Sequence, residues 1–228
     1  MTTLPPPVPD VPAAFTQTVN EAFTGRVGPR FALILSGGPT ARSCYEHLAG
    51  HATLDWSLVD IAMGDERVVA PTDPDANQQL VREALLDRIG PVGSFTPMPT
   101  EGPIDDCVAR YQAHMAQVLA GPGIDLIHLG LGADGHTASL FPGAPTLDAG
   151  ADELVAATED PNGRNPHPRL TVTLPVIDAA RLAVFTVTGA SKQEAVASLR
   201  RGDDIPAARV AAPSIIWLVD APASGHGP

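Results

Sequence analysis

The sequence predicts an α/β fold: a Rossmann-like, mostly parallel sheet with helices on both faces. Three observations carry the prediction. Apolar runs of strand length alternate with segments of helical periodicity. Glycine-rich turns close several of those runs, at Ser36-Gly37-Gly38, at Gly130 to Gly135 and at Gly189-Ala190-Ser191. Hydrophobic residues are 44% of the 228, enough for a core, while aromatics are only 4%, so Ala, Val, Leu and Ile must fill it.

The elements follow in order. The Pro-rich start, Leu4-Pro5-Pro6-Pro7-Val8-Pro9, reads as extended, and residues 1–9 are expected to fray. Apolar positions from Asp10 to Phe23 recur at helical spacing. Phe31 to Leu35 is a short buried strand that runs into Ser36-Gly37-Gly38-Pro39-Thr40, then a helix from Ala41 to Ala49. Trp56 to Met63 is a second strand, ending in Gly64-Asp65-Glu66-Arg67 with both carboxylates and the guanidinium at one sheet edge. Asp75 to Ile89 and Ile104 to Leu119 read as helices, and Ile124 to Leu129 as a buried strand. Glu153 to Thr158 and Arg169 to Leu174 read as strands. So does Leu182 to Val187, which leads through Thr188-Gly189-Ala190-Ser191-Lys192 into a helix to Arg200. Ser214 to Val219 is the last strand, and the tail from Ala221 to 228 is expected to fray. Strands separated by helices imply parallel pairing. With no repeat and no linker, one domain over 1–228 is expected.

Composition narrows the function. The net charge of −12 argues against nucleic acid and anionic membrane surfaces as partners. The two cysteines, Cys44 and Cys107, are far apart and outside any CxxC pattern, so neither a disulfide framework nor a cysteine zinc site is expected. The N-terminus has no basic and apolar leader pattern, and no apolar run approaches the roughly 20 residues of a membrane span. A soluble cytoplasmic protein is the expectation.

The most informative segment is Gly130-Leu131-Gly132-Ala133-Asp134-Gly135-His136-Thr137-Ala138-Ser139-Leu140-Phe141-Pro142. Its glycines allow a sharp turn at the carboxyl end of a strand, where ligands bind in open α/β sheets. A carboxylate and an imidazole stand two residues apart there, a pairing suited to acid–base work. Gly130 to Gly135 also fits G-x-G-x-x-G. That motif needs a continuous helix after the third glycine, and Pro142 and Pro145 interrupt one. A tight turn carrying a solvated His–Asp pair is the plainer alternative.

Other strand ends add to it. Ser36 to Thr40 presents backbone N–H groups at a helix start, which suits a phosphate, although no Gly-Lys-Ser/Thr follows to make a P-loop. Lys192 is the only lysine beside 13 arginines, a compact charge also suited to phosphate. Arg169 opens a strand and is a candidate for a bidentate grip or a simple strand cap. His128 alternates within a strand and reads as packed. His47, His51, His114 and His226 carry no motif. No GxSxG elbow, HExxH site or EF-hand loop is present.

Taken together these motifs resemble the 6-phosphogluconolactonases of the glucosamine-6-phosphate isomerase-like superfamily. The resemblance runs through Ser36-Gly37-Gly38, Asp65-Glu66-Arg67 with Asn77 downstream, Gly130 to Pro142, Arg169 to Pro175, Gly189 to Lys192, and the last strand with Trp217 and Asp220. It implies a three-layer sandwich and hydrolysis of 6-phospho-D-glucono-1,5-lactone to 6-phosphogluconate in the oxidative pentose phosphate pathway. By motif position, His136 would be the general base and Asp134 would orient it or the attacking water. Arg67, Arg169 and backbone N–H groups would grip the phosphate or the developing oxyanion. Lys192 and the loop Gly37, Gly38, Thr40 would take the 6-phosphate, with Asp65 and Gly135 lining the substrate site. No cofactor or metal is implied, and the expected partner is the small-molecule substrate, with the chain a monomer or weak homo-oligomer. The family's first glycine loop usually reads Ser-Gly-Gly-Ser-Thr-Pro, so Pro39 removes one donor from this cradle. A glucosamine-6-phosphate deaminase is the rival within the superfamily. It typically carries Asn-Glu-Pro after the Asp-Gly-His segment, where this chain has Ser139-Leu140-Phe141-Pro142. A non-catalytic sugar-phosphate-binding protein is the rival outside enzymes.

Overall fold

The computed structural model describes residues 4–163 and 165–225. Six strands form one sheet in the order β4-β2-β1-β5-β8-β9, every adjacent pair parallel. They are β1 (Phe31–Leu35), β2 (Val59–Met63), β4 (Ser94–Thr96), β5 (Ile124–Gly130), β8 (Ala180–Val187) and β9 (Ile215–Val219). Central β5 is buried from Ile124 through Leu129, the continuous apolar run of a strand covered on both faces.

Helices surround this sheet. In α1 (Val11–Thr24), Asp10 caps the start by accepting the Ala13 N–H at 3.0 Å. The helix packs on α2 (Pro39–His51) and reaches β5, β8 and β9. On α4 (Ile104–Ala120), Tyr111 is buried and its hydroxyl donates to the Met63 carbonyl at 2.7 Å, tying the helix to the end of β2. α6 (Gln193–Arg201) ends on Gly202, whose left-handed conformation (φ 79°) suits glycine. Among the described residues no helix is long and apolar enough to cross a membrane.

The chain leaves β1 for β2 and β4 on one side, while β5, β8 and β9 extend the sheet on the other. The loops after β1 and β5 therefore diverge at a topological switch point, where this architecture leaves a crevice.

Several elements differ from expectation. Glu153–Thr158 and Arg169–Leu174 do not join the parallel sheet. As β6 (Val155–Thr158) and β7 (Arg169–Val172) they pair antiparallel in a second sheet, β3-β7-β6. Its third strand, β3 (Asp65–Arg67), is too short and too charged to carry a strand signal. Gly64 joins the two sheets: its N–H donates to Leu35 O and its carbonyl accepts from Val172 N, both at 2.8 Å. Leu174–Ala179 is a short helix, α5, read in the sequence only as the end of a strand. The helix read from Asp75 to Ile89 is shorter, α3 (Asn77–Ala84), followed by a turn of 3₁₀-helix at Leu86–Arg88. Trp56–Leu58 is likewise a 3₁₀ turn before β2.

Neither terminal segment is loose over the residues described. Val8 N–H donates to Val219 O at 2.8 Å, and Leu4 and Val8 pack on the core. Beyond β9, Ala221–Ser224 is a helical turn, α7, capped by Asp220, with Ala223 and Ser224 buried. Proline composition suggested fraying, but Pro222 lies in the first turn of α7, where a missing N–H costs nothing. Residues 1–3 and 226–228, His226 included, lie outside the described residues.

Candidate active site

A cavity of about 250 Å³ opens at the switch point. The loop after β1, the loop after β5, the end of β8 and the small sheet all contribute to its wall. Of the residues singled out in the sequence, Gly37, Gly38, Thr40, Asp65, Arg67, His136, Arg169 and Lys192 line it together. Asp134 and Gly135 do not: Asp134 stands behind His136, and Gly135 faces Ile205.

The His136 ring is set from two sides. Nδ1 lies 2.6 Å from Asp134 Oδ1, and the ring packs against Phe141 with centroids 5.1 Å apart. Asp134 Oδ1 also accepts the His136 backbone N–H at 3.2 Å. Burial pulls the Asp134 carboxyl up, but the hydrogen bond and charge of His136 outweigh it and hold it down to about 2. An ionised carboxylate can only accept, so Nδ1 donates to it and Nε2 is the ring nitrogen left for other partners.

Glycine is required at two points in this turn. A Cβ on Gly132 would fall 2.1 Å from His136 Nδ1 and 2.6 Å from Asp134 Oδ1. Gly135 has φ 87°, and a Cβ there would meet Ile205 Cβ at 2.7 Å. Gly132 thus makes room for the ring, and Gly135 turns the chain.

Among the described residues three cations face the cavity. Arg67 and Arg169 sit directly opposite each other across β3 and β7. Like charges at such a pair oppose sheet formation unless an anion lies between them. Burial and the Arg67 charge both lower the Arg169 pKa, with Asp65, Glu66 and Asp75 acting the other way. Arg67 donates to the Asp75 carbonyl and Arg169 to the Pro166 carbonyl at 3.0 Å, yet the Nε of each is buried without a partner among the described residues. Burial also lowers the half-buried Lys192 ammonium, and Asp134 is near enough to raise it in part. Among the described residues none of the three has a carboxylate within ion-pair distance.

The helix start explains why a proline is tolerated at position 39, although the cradle has one backbone donor fewer. Pro39 is the first residue of α2, after Gly38 at φ 100°, and its N–H would have lacked a helical partner in any case. The N-terminus of α2 borders the cavity, and Thr40 Oγ1 is held 2.6 Å from Thr188 Oγ1. In the turn after β8, Gly189 N–H is taken by Asp220 at 2.9 Å, and Lys192 faces the cavity.

Glu66 departs from the expectation that both carboxylates share one edge. Strand alternation turns it away from Asp65 and Arg67, and it is fully buried. His128 is packed as expected, with Nδ1 2.8 Å from the Tyr45 hydroxyl and Nε2 2.8 Å from Thr186 Oγ1. The sequence singled out neither Ser139, Thr186 and Thr188 nor Asn165 in the loop before β7, yet all line the cavity. Ser139 donates to Asp65 Oδ2 at 2.7 Å, and its place three residues after His136 was the available signal. Among the described residues, no group of three or more His, Cys, Asp or Glu is arranged to hold a metal ion.

Comparison with known proteins gives the family. The model of the glucosamine-6-phosphate isomerases/6-phosphogluconolactonase family matches residues 8–217. A 6-phosphogluconolactonase of Synechocystis sp. is 42% identical over 200 residues, covering 82% of this chain and 81% of its own. Another, from Caulobacter vibrioides, is 39% identical over 199 residues, covering 86% and 81%. The solved 6-phosphogluconolactonase of Thermotoga maritima superposes with a TM-score of 0.84 at 25% identity, covering 96% of this chain and all of that one. The chain belongs to the glucosamine-6-phosphate isomerase/6-phosphogluconolactonase family.

Proposed function

We propose that this chain hydrolyses 6-phospho-D-glucono-1,5-lactone to 6-phosphogluconate, with His136 as the general base. The observation that carries the reading is the His136–Asp134 pair at 2.6 Å beside Arg67, Arg169 and Lys192, which line one cavity with His136. The curated 6-phosphogluconolactonases at 42% and 39% identity support the substrate.

The His136–Asp134 pair supports the following steps. Nε2 of His136 takes a proton from water as the water oxygen bonds to C1 of the lactone. The carbonyl electrons move to oxygen, giving a tetrahedral oxyanion. When the carbonyl re-forms, the C1–O5 bond breaks. The His136 imidazolium returns its proton to O5, which becomes a hydroxyl. An imidazole suits both transfers near neutral pH. Asp134 is a positioning residue: it fixes the ring and stabilises the imidazolium. Arg67, Arg169 and Lys192, with the N-terminus of α2, supply the positive field for the phosphate and the developing oxyanion. The reaction makes 6-phosphogluconate available to the oxidative pentose phosphate pathway. We place the protein in the cytoplasm as one domain, acting on a small molecule as a monomer or weak homo-oligomer.

The test is to add purified protein to freshly made lactone without metal and follow acid release against the spontaneous rate. Hydrolysis far above that rate is expected. Release of ammonia from glucosamine 6-phosphate would assign the deaminase reaction instead, and turnover of neither substrate would leave a binding protein.

A further inference from the structure

Two buried polar side chains beside the cavity have no part in the hydrolytic steps. Asn77, the first residue of α3, is 1% exposed and lines the cavity wall. Its Nδ2 donates to the Asp65 carbonyl at 3.0 Å and to Asp65 Oδ1 at 3.2 Å. Both partners are acceptors, so flipping the amide would set oxygen against oxygen. The orientation is therefore fixed by chemistry. Among the described residues Oδ1 is left buried with no donor, against Gly37, where a Cβ would fall 1.7 Å from it.

Glu66 holds this arrangement. Its Oε1 accepts Arg67 N–H at 2.8 Å and Asn77 N–H at 2.6 Å, and its Oε2 accepts Gln78 N–H at 2.7 Å. The carboxylate supplies the cap that α3 lacks, since Ala76 at its start has no side chain to give. It thereby locks the start of α3 to β3.

We propose that Asn77 Oδ1 accepts a hydrogen bond from a hydroxyl on the carbon chain of the substrate, and that Glu66 is the positioning residue for this contact. The ligand class follows from the sign of the group. Phosphate and carboxylate oxygens at neutral pH are acceptors and gain nothing from a carbonyl oxygen. A hydroxyl donates. Asn77 thus selects for a polyhydroxylated chain, while the cations select for the phosphate. This inference rests on the hydrolytic reading of the cavity.

Three probes separate the contributions: 6-phosphogluconate, 6-phosphohexanoate (same length and phosphate, no hydroxyls) and inorganic phosphate. In wild-type protein, calorimetry should show 6-phosphogluconate bound more tightly than 6-phosphohexanoate; equal binding overturns the proposal without any variant. Asn77→Ala should raise KM for the lactone and weaken 6-phosphogluconate about threefold to tenfold, the loss of one neutral hydrogen bond. Binding of the other two probes should stay within about twofold on the same reasoning. A uniform loss across all three probes, or no loss, overturns it. Glu66→Gln keeps the shape but turns one acceptor into a donor facing backbone N–H. It should reduce the preference for the hydroxylated probe, and adding it to Asn77→Ala should reduce that preference no further. An additive loss would show that Glu66 does not act through Asn77. Wild-type protein that neither hydrolyses the lactone nor binds 6-phosphogluconate would sink the hydrolytic reading, and this inference with it.

Discussion

Replacing Gly132 with alanine strikes at the His136–Asp134 pair without removing either member. The new Cβ would lie 2.1 Å from His136 Nδ1, 2.3 Å from Cε1 and 2.6 Å from Asp134 Oδ1. Ordinary contact begins near 3.4 Å, so the imidazole must move by more than about 1 Å, and its hydrogen bond to the carboxylate cannot survive. A misplacement of that size costs roughly 100-fold in rate, or about 2.7 kcal/mol. Gly132 is not in the left-handed region, and the crowded atoms belong to side chains that can swing aside, so the fold should hold. Gly135→Ala is the contrast. At φ 87°, with Ile205 Cβ 2.7 Å away, it should lower stability by at least about 1–2 kcal/mol, a fall of several degrees in Tm for a chain this size. Initial rates on fresh lactone and thermal melts of both variants make the comparison. Gly132→Ala with kcat/KM within threefold of wild type would refute the claim that this ring position carries the rate.

Arg169→Ala and Lys192→Ala should each raise KM about tenfold to 100-fold, the scale of a lost charged hydrogen bond, with kcat little changed if phosphate is bound alike in ground and transition states. An unchanged KM in steady-state kinetics would remove that residue from the phosphate site. Burial pulls the His128 imidazole down to about 3, below the ordinary 6.5. Its contribution to stability is therefore whole above pH 6.5 and is lost as the pH falls toward 3, amounting to about 3 kcal/mol at pH 4.5. Glu66 has the opposite sign. Burial pushes its carboxyl up to about 7 against three N–H donors, so its contribution is whole below about 4.5 and is lost as the pH rises through 7. Urea midpoints of wild type and His128→Gln from pH 7 to 4.5 separate the two: wild type should lose about 3 kcal/mol more than the variant, and parallel curves would contradict the assignment.

The parts legible in the sequence were those with a local signal. The run Ile124 to Leu129 announced a buried strand, and the glycine turn carrying Asp134 and His136 stands at its end. Arg67, Arg169 and Lys192 were singled out as charges at strand ends. What was hidden depended on pairing between distant segments. Nothing in Asp65-Glu66-Arg67 says strand, because its pairing comes from Arg169–Val172, a hundred residues on. The opposition of Arg67 and Arg169 is a fact of that register. Glu66 looked like a second edge carboxylate because its partners, Asn77 and Gln78, lie eleven and twelve residues away on another element. The capped turn after Asp220 was masked by the Pro/Gly composition around it.

We propose His136 as the base of a lactone hydrolysis. Its most direct test is the rate of acid release from freshly generated 6-phospho-D-glucono-1,5-lactone, measured side by side with wild type and His136→Ala, with product binding as the check on folding. Hydrolysis by wild type far above the spontaneous rate is expected, with most of it lost in the variant at undiminished affinity for 6-phosphogluconate. A variant that keeps the full wild-type rate would contradict it.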